Sequence, residues 1–163
     1  MSSTIKIMEV GLRDGLQVID KFISTKEKLK FLHGFIDAGI KNIQVTSFVN
    51  PRKVPQTSDA ENLIKQLPKL NGIEYSALIF NERGLERAIN SGISKIETSI
   101  SLSQTYNKKN LGISVNESIK QLREVIQFSL KNNLDIRAGL QCVWGCPVDG
   151  PVDKSIVLKT ISE

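Results

Sequence analysis

An α/β fold built on parallel strands is predicted by three observations. Short apolar runs alternate with segments whose apolar residues recur at helical spacing. Polar side chains gather just beyond the apolar runs, at the strand ends where the active sites of parallel α/β proteins lie. No Gly-x-Gly-x-x-Gly turn follows the first run, which argues against a nucleotide-binding open sheet. Alternation of this kind implies right-handed crossovers between parallel strands, leaving an open doubly wound sheet or a (β/α)₈ barrel.

The elements follow in order. Ile5 to Val10 reads as the first strand and Ser24 to Ala38 as the first helix. Ser24 or Thr25 serves as its N-cap, Glu27 sits in its first turn and Gly39 lies past its end. Leu29, Leu32, Phe35 and Ile36 recur at helical spacing and should face a core, whereas Lys26, Lys28 and Lys30 read as solvated and His33 as a surface or partly packed side chain. Asn42 to Thr46 is the second strand, followed by a loop through Pro51 and Pro55 and a helix from about Ser58 to Leu67, with Asp59 and Glu61 near its positive end. Glu74 to Ile79 is the third strand, Glu82 to Ser91 a helix closed by Gly92, and Lys95 to Ile100 the fourth strand. A loop holding Lys108, Lys109 and Asn110 leads to a long amphipathic helix over 115–132, with Ile119, Leu122, Ile126 and Leu130 along one side. Leu134 to Cys142 is the fifth strand, and a last helix begins near Asp153.

A complete barrel needs eight units and about 250 residues. The 163 residues supply five strands, so the expectation is a truncated (β/α)₈ barrel, the chain giving about the first five β/α units. Composition excludes several other classes. With 40% hydrophobic and 24% charged residues the chain is of ordinary globular type. The net charge of +5 is spread over helix faces, which indicates a solvated surface and no nucleic-acid partner. No apolar stretch approaches the ~20 residues of a membrane span, and the start, Met1-Ser2-Ser3-Thr4-Ile5-Lys6, lacks the apolar segment of a secretory signal. Cys142 and Cys146 with a single histidine cannot complete a four-ligand zinc site. They read as reduced thiols of a cytoplasmic protein, in packing or turn roles, with no histidine nearby in sequence to activate them.

The strand ends share one rim. The first delivers Arg13, Asp14 and Gln17 in a turn flanked by glycines; the second gives Gln44, Thr46 and Ser47; the third leads to Asn81. The fourth gives Ser99, Ser101 and the Lys108-Lys109-Asn110 loop, and the fifth gives Gln141 and the segment from Gly145 to Gly150. The strands beneath this rim read as aliphatic. Asp14 offers hard carboxylate oxygen to a divalent cation, and Arg13 offers fixed donors to an oxyanion. Lysines at 108 and 109 with Asn110 suit a phosphate or a solvated surface equally.

Four segments together resemble the 3-hydroxy-3-methylglutaryl-CoA lyase family among metal-dependent lyase-type TIM barrels. They are Glu9-Val10-Gly11-Leu12-Arg13-Asp14-Gly15-Leu16-Gln17; Val45-Thr46-Ser47-Phe48-Val49 with Pro51, Val54, Pro55 and Gln56; Lys108-Lys109-Asn110; and Gly145-Cys146-Pro147 with Gly150. The resemblance implies that residues 1–163 form the N-terminal part of a single pyruvate-carboxyltransferase/HMG-CoA-lyase-like barrel domain. It implies a Mg²⁺- or Mn²⁺-dependent carbon–carbon cleavage of a 3-hydroxyacyl-CoA to acetyl-CoA and acetoacetate, in leucine breakdown. By that likeness Asp14 is a metal ligand, Arg13 and Gln44 occupy catalytic positions, and Arg13 stabilises the enolate of the departing acetyl-CoA. Gln17, Thr46 and Ser47 line the pocket, and Lys109 with Asn110 approaches the CoA moiety.

Two departures accompany the resemblance. Gln44 stands where the family usually has glutamate, which removes a charge and a proton acceptor. The family's His-x-His metal ligands, its catalytic cysteine loop and its last strands do not occur in this sequence. The expectation is therefore that this chain alone cleaves little acyl-CoA. Two other readings stand beside it: a non-catalytic half-barrel that binds a CoA ester, and a related Claisen-condensing acyltransferase. A homodimer that covers the open sheet edges is a further expectation.

Overall fold

In the computed structural model, which describes residues 5–163, five strands form one sheet: β1 (Met8–Glu9), β2 (Asn42–Ser47), β3 (Glu74–Leu78), β4 (Lys95–Ser101) and β5 (Asp135–Gln141). The reading of Met1–Thr4 as part of a start without a signal lies outside the described residues. The strands lie side by side in chain order and every neighbouring pair is parallel. That order decides between the two architectures. A doubly wound sheet reverses its winding at a switch point, whereas unbroken sequential order is that of a barrel wall. The wall is also curled: Arg137 on β5 donates to the Met8 sulfur on β1 at 3.5 Å, although three strands stand between them. The architecture is half of a barrel.

Among the described residues six α-helices accompany the strands: α1 (Thr25–Asp37), α2 (Ala60–Lys65), α3 (Glu82–Ser91), α4 (Gln104–Leu111), α5 (Val115–Lys131) and α6 (Lys154–Ser162). Alternate strand residues, Ile43 and Val45 on β2, Ala77 on β3 and Ile96 on β4, join Leu32 of α1, Leu63 of α2 and Leu85 and Ala88 of α3 in one buried core. α1 starts at Ser24 with a reciprocal cap: the Ser24 side chain accepts from the Glu27 amide, and the Glu27 carboxylate accepts from the Ser24 amide. α5 repeats the device with Ser114 and Glu117. No helix among the described residues is long and apolar enough to cross a membrane.

Several expectations are corrected. The first strand is shorter than Ile5–Val10, because only Met8 and Glu9 find partners on β2 and Ile5 and Ile7 stay exposed. The helix expected from Ser58 starts later, after a 3₁₀ turn at Pro55–Thr57. Lys28 is not solvated like Lys26 and Lys30; it is 1% exposed, and its ammonium donates to Asp59 and to the Gln56 carbonyl, both at 2.5 Å. The Lys108–Asn110 loop is instead the last turn of α4. That helix has no apolar stripe to announce it. Its caps hold it, Ser103 accepting from the Tyr106 amide and Gly112 closing it at φ 81°. Buried Asn107 fastens it from beneath, accepting from the Ser101 amide and donating to the Ile113 and Ser114 carbonyls.

Candidate active site

The turn after β1 is a five-residue π-helical turn, Gly11–Gly15, that carries Arg13 and Asp14. Such widened turns occur disproportionately at functional sites. Leu12 within it is buried in the core, which fixes the turn and leaves the next two side chains on the other side. Arg13 is held from two directions. Its Nε donates to the Oε1 of Gln44 on β2, and its Nη1 lies 2.5 Å from a carboxylate oxygen of Asp14. Gln44 is 2% exposed, so the arginine is anchored on the buried side, and Asp14, with 62% of its side chain exposed, faces open space.

β2 delivers the next residues through an irregularity. Gln44 pairs with Ser76 and Thr46 with Ala77, so Val45 is an extra residue in the ladder. Such a bulge re-aims side chains and is common beside active sites. Thr46 and Ser47 are both buried at the end of β2. The structure thus brings Arg13 into direct contact with both Asp14 and Gln44 and sets Thr46 and Ser47 on the same strand as Gln44. Gln17 is exposed beyond the turn.

Lys109 and Asn110 belong to a second cluster. Both are exposed on α4, and among the described residues no hydrogen bond or ion pair joins them to Arg13 or Asp14. α4 is instead tied to the Gly145–Gly150 loop. The Asp149 carboxylate accepts from the Ser103 hydroxyl at 2.6 Å, the Thr105 hydroxyl at 2.6 Å and the Thr105 amide at 3.0 Å. These donors, Ser103 first, hold its carboxyl down to about 2. Ser103 and the Asp149 amide also lie 3.2 and 3.1 Å from the Cys146 sulfur and hold that thiol below its ordinary range. Gly145 permits the loop: at φ 115° it approaches the Gly150 carbonyl so closely that a Cβ would stand 2.5 Å from the oxygen. Cys142 and Cys146 are free thiols.

The concave face of the sheet is not aliphatic as expected. Ser76 donates to Glu97 at 2.6 Å, and the other Glu97 oxygen lies 3.5 Å from Arg137. With Gln44 these make a polar layer below the rim. Period-2 alternation along β4, where Lys95, Glu97, Ser99 and Ser101 share one side, is the signal that could have found it. Gln56, which the sequence offers only as part of a motif with no role of its own, has a buried side chain bonded to the loop after the Arg13–Asp14 turn.

A divalent cation would need more donors than this cluster offers. Among the described residues no group of three His, Cys, Asp or Glu side chains gathers to hold one. Asp14 is the sole carboxylate of the Arg13 cluster, and it is already paired. The residues present do not make a metal site by themselves.

The HMGL-like family model matches residues 4–159. A curated hydroxymethylglutaryl-CoA lyase of Bacillus subtilis is 38% identical over 94% of this chain and 52% of its own length. The human mitochondrial hydroxymethylglutaryl-CoA lyase is 34% identical over 94% of this chain and 47% of its own. The chain thus spans about half the length of the curated relatives it matches. The crystal structure of the Bacillus subtilis HMG-CoA lyase superposes with a TM-score of 0.89 at 37% identity, covering 97% of this chain and 53% of that one. An Acinetobacter baumannii HMG-CoA lyase, solved with coenzyme A and 3-methylmalate, superposes with a TM-score of 0.89 at 25% identity, covering 99% of this chain and 54% of that one.

Proposed function

Because the chain belongs to the HMGL-like family, we propose that it is the substrate-polarising part of a carbon–carbon lyase acting on 3-hydroxy-3-methylglutaryl-CoA or a similar 3-hydroxyacyl-CoA. The observation that carries this reading is the Arg13–Gln44 contact: a guanidinium at the end of β1, fixed by a buried amide and aimed at the rim. The naming of the relatives as hydroxymethylglutaryl-CoA lyases, and the coenzyme A and 3-methylmalate in one solved neighbour, support the thioester class.

In the proposed reaction the substrate's 3-hydroxyl loses its proton as the C2–C3 bond breaks. The bond's electron pair passes into the thioester, making the enolate of acetyl-CoA, while C3 becomes the ketone of acetoacetate. Protonation at C2 completes acetyl-CoA. Arg13 offers its remaining N–H groups to the thioester oxygen as charge grows there, and its anchoring means little reorganisation during the step. Gln44 accepts from Arg13 and keeps that fork in place; as an amide it does not take the hydroxyl proton. Thr46 and Ser47 are proposed to offer hydroxyls to the substrate from the end of β2, with Gln17 as a further polar contact. Lys109 and Asn110 lie where a phosphate-bearing arm could follow the rim. Asp14 is proposed as one carboxylate ligand of a divalent cation, too few by itself to hold one, so no step here is routed through a metal. The domain assignment is likewise a proposal: residues 1–163 as the N-terminal part of a single barrel domain.

One observation favours a second reading. The lone carboxylate beside Arg13 suits a half-barrel that binds a CoA ester without cleaving it. Co-expression of this chain with the part of the Bacillus subtilis relative beyond the matched region separates the two. The lyase reading expects acetoacetate from 3-hydroxy-3-methylglutaryl-CoA with Mg²⁺ or Mn²⁺, lost in Arg13→Met. A stable complex that binds the thioester with no acetoacetate would establish the second reading instead.

A further inference from the structure

We propose that Gln56 is the positioning residue of the Arg13–Asp14 turn, a single side chain that clamps the loop after β1 to the loop after β2. The proposal rests on the reading of Arg13 as the substrate-polarising group. Residues 18–23 run from the end of the π-helical turn back to α1 with little packing of their own: Val18 is 82% exposed, and Ile19 and Phe22 are also exposed. Among the described residues, apart from the turn bond from the Ile19 amide to the Leu16 carbonyl at 3.1 Å, the hydrogen bonds that tie 18–23 to more distant parts of the chain end on the Gln56 side chain. Its amide nitrogen donates to the Ile19 carbonyl at 2.5 Å and the Lys21 carbonyl at 2.7 Å, and its oxygen accepts from the Ile23 amide at 3.1 Å.

Three backbone groups are thus satisfied by one buried amide. Glutamine alone has the two donors, the acceptor and the reach: glutamate lacks the donors and asparagine is one methylene shorter. The clamp is itself anchored. Lys28 donates to the Gln56 backbone carbonyl and to Asp59, Thr25 donates to Asp59 at 2.6 Å, and the Phe22 ring lies 4.8 Å from the Lys28 ammonium. An ion pair this deeply buried contributes little net stability. What it fixes here is geometry, since a shift of Gln56 would release the loop that follows Arg13 and Gln17.

Gln56→Met and Gln56→Glu test this by amide hydrogen exchange and by titration with 3-hydroxy-3-methylglutaryl-CoA. The methionine keeps the bulk and loses every polar bond; the glutamate keeps only the acceptor for Ile23. Exchange at Ile23 should rise about tenfold or more in Gln56→Met and stay near wild type in Gln56→Glu, as loss of one hydrogen bond in a locally opening loop implies. Residues 17–21 should exchange faster in both variants, β3 to β5 in neither, and thioester affinity should fall about fivefold or more in both. Unchanged Ile23 exchange in Gln56→Met, or loosening spread evenly over the sheet, would overturn the clamp. So would loosening of the loop with no loss of affinity. If wild type binds no thioester while the exchange pattern holds, the function proposed for Arg13 fails and the clamp stands.

Discussion

Arg13 and Gln44 are 31 positions apart and in direct contact, the arginine Nε donating to an amide oxygen that is itself 2% exposed. The contact joins the turn after β1 to the second strand and converts a flexible side chain into a fixed donor. Replacing Gln44 with Leu removes the acceptor and leaves the arginine on Asp14 alone. We expect a loss of roughly 1–2 kcal/mol in urea unfolding and weaker binding of the thioester, measured on the same preparation.

Leu32 is fully buried in the core between α1 and the sheet. Leu32→Ala should cost about 2–5 kcal/mol through the cavity it leaves. Urea midpoints check this, and a loss below about 1 kcal/mol would mean that the α1 face is looser than the structure shows.

Breaking the Lys28–Asp59 pair from one side should be costly, because Lys28→Met strands a carboxylate with only 12% of its side chain exposed. The expected loss is roughly 3–5 kcal/mol. The double replacement Lys28→Met with Asp59→Leu should recover part of it, which thermal or urea unfolding will show.

Asp149 sets a pH dependence at α4. Its carboxyl is held down from 3.8 to about 2 by Ser103 and Thr105. The folded value lies below the unfolded one, so its contribution is fully present above about pH 4 and fades as pH falls through about 2. Amide protection in 104–111, taken relative to the intrinsic exchange rate at each pH, should therefore fall between about pH 4 and pH 2. Asp149→Asn should remove that change while leaving β1 to β3 unaffected.

Much of the fold was legible because the central strands and most helices write their burial into the chain. The first helix showed its cap at Ser24, its core stripe at Leu29 and Leu32, and its stop at Gly39. What failed did so for physical reasons. α4 buries a polar residue, Asn107, in place of an apolar stripe, so hydrophobic periodicity was silent there. Lys28 sits among solvated lysines in sequence, and only the approach of Asp59, 31 residues on, explains its burial. At the site, the Arg13–Asp14 turn and Gln44 were recognisable as residue types. Their mutual contact depends on the pairing of β1 with β2, and the polar layer of Ser76, Glu97 and Arg137 depends on the pairing of β3 with β4 and of β4 with β5.

The most direct measurement is calorimetric titration of the purified chain with 3-hydroxy-3-methylglutaryl-CoA, wild type against Arg13→Met. Binding by wild type that weakens about tenfold or more in the variant, with unfolding midpoints alike, is the expected result, since a charge-assisted contact to the thioester is worth about 1.5–3 kcal/mol. Equal affinity in the two proteins, or none in either, would contradict Arg13 as the group that polarises the substrate.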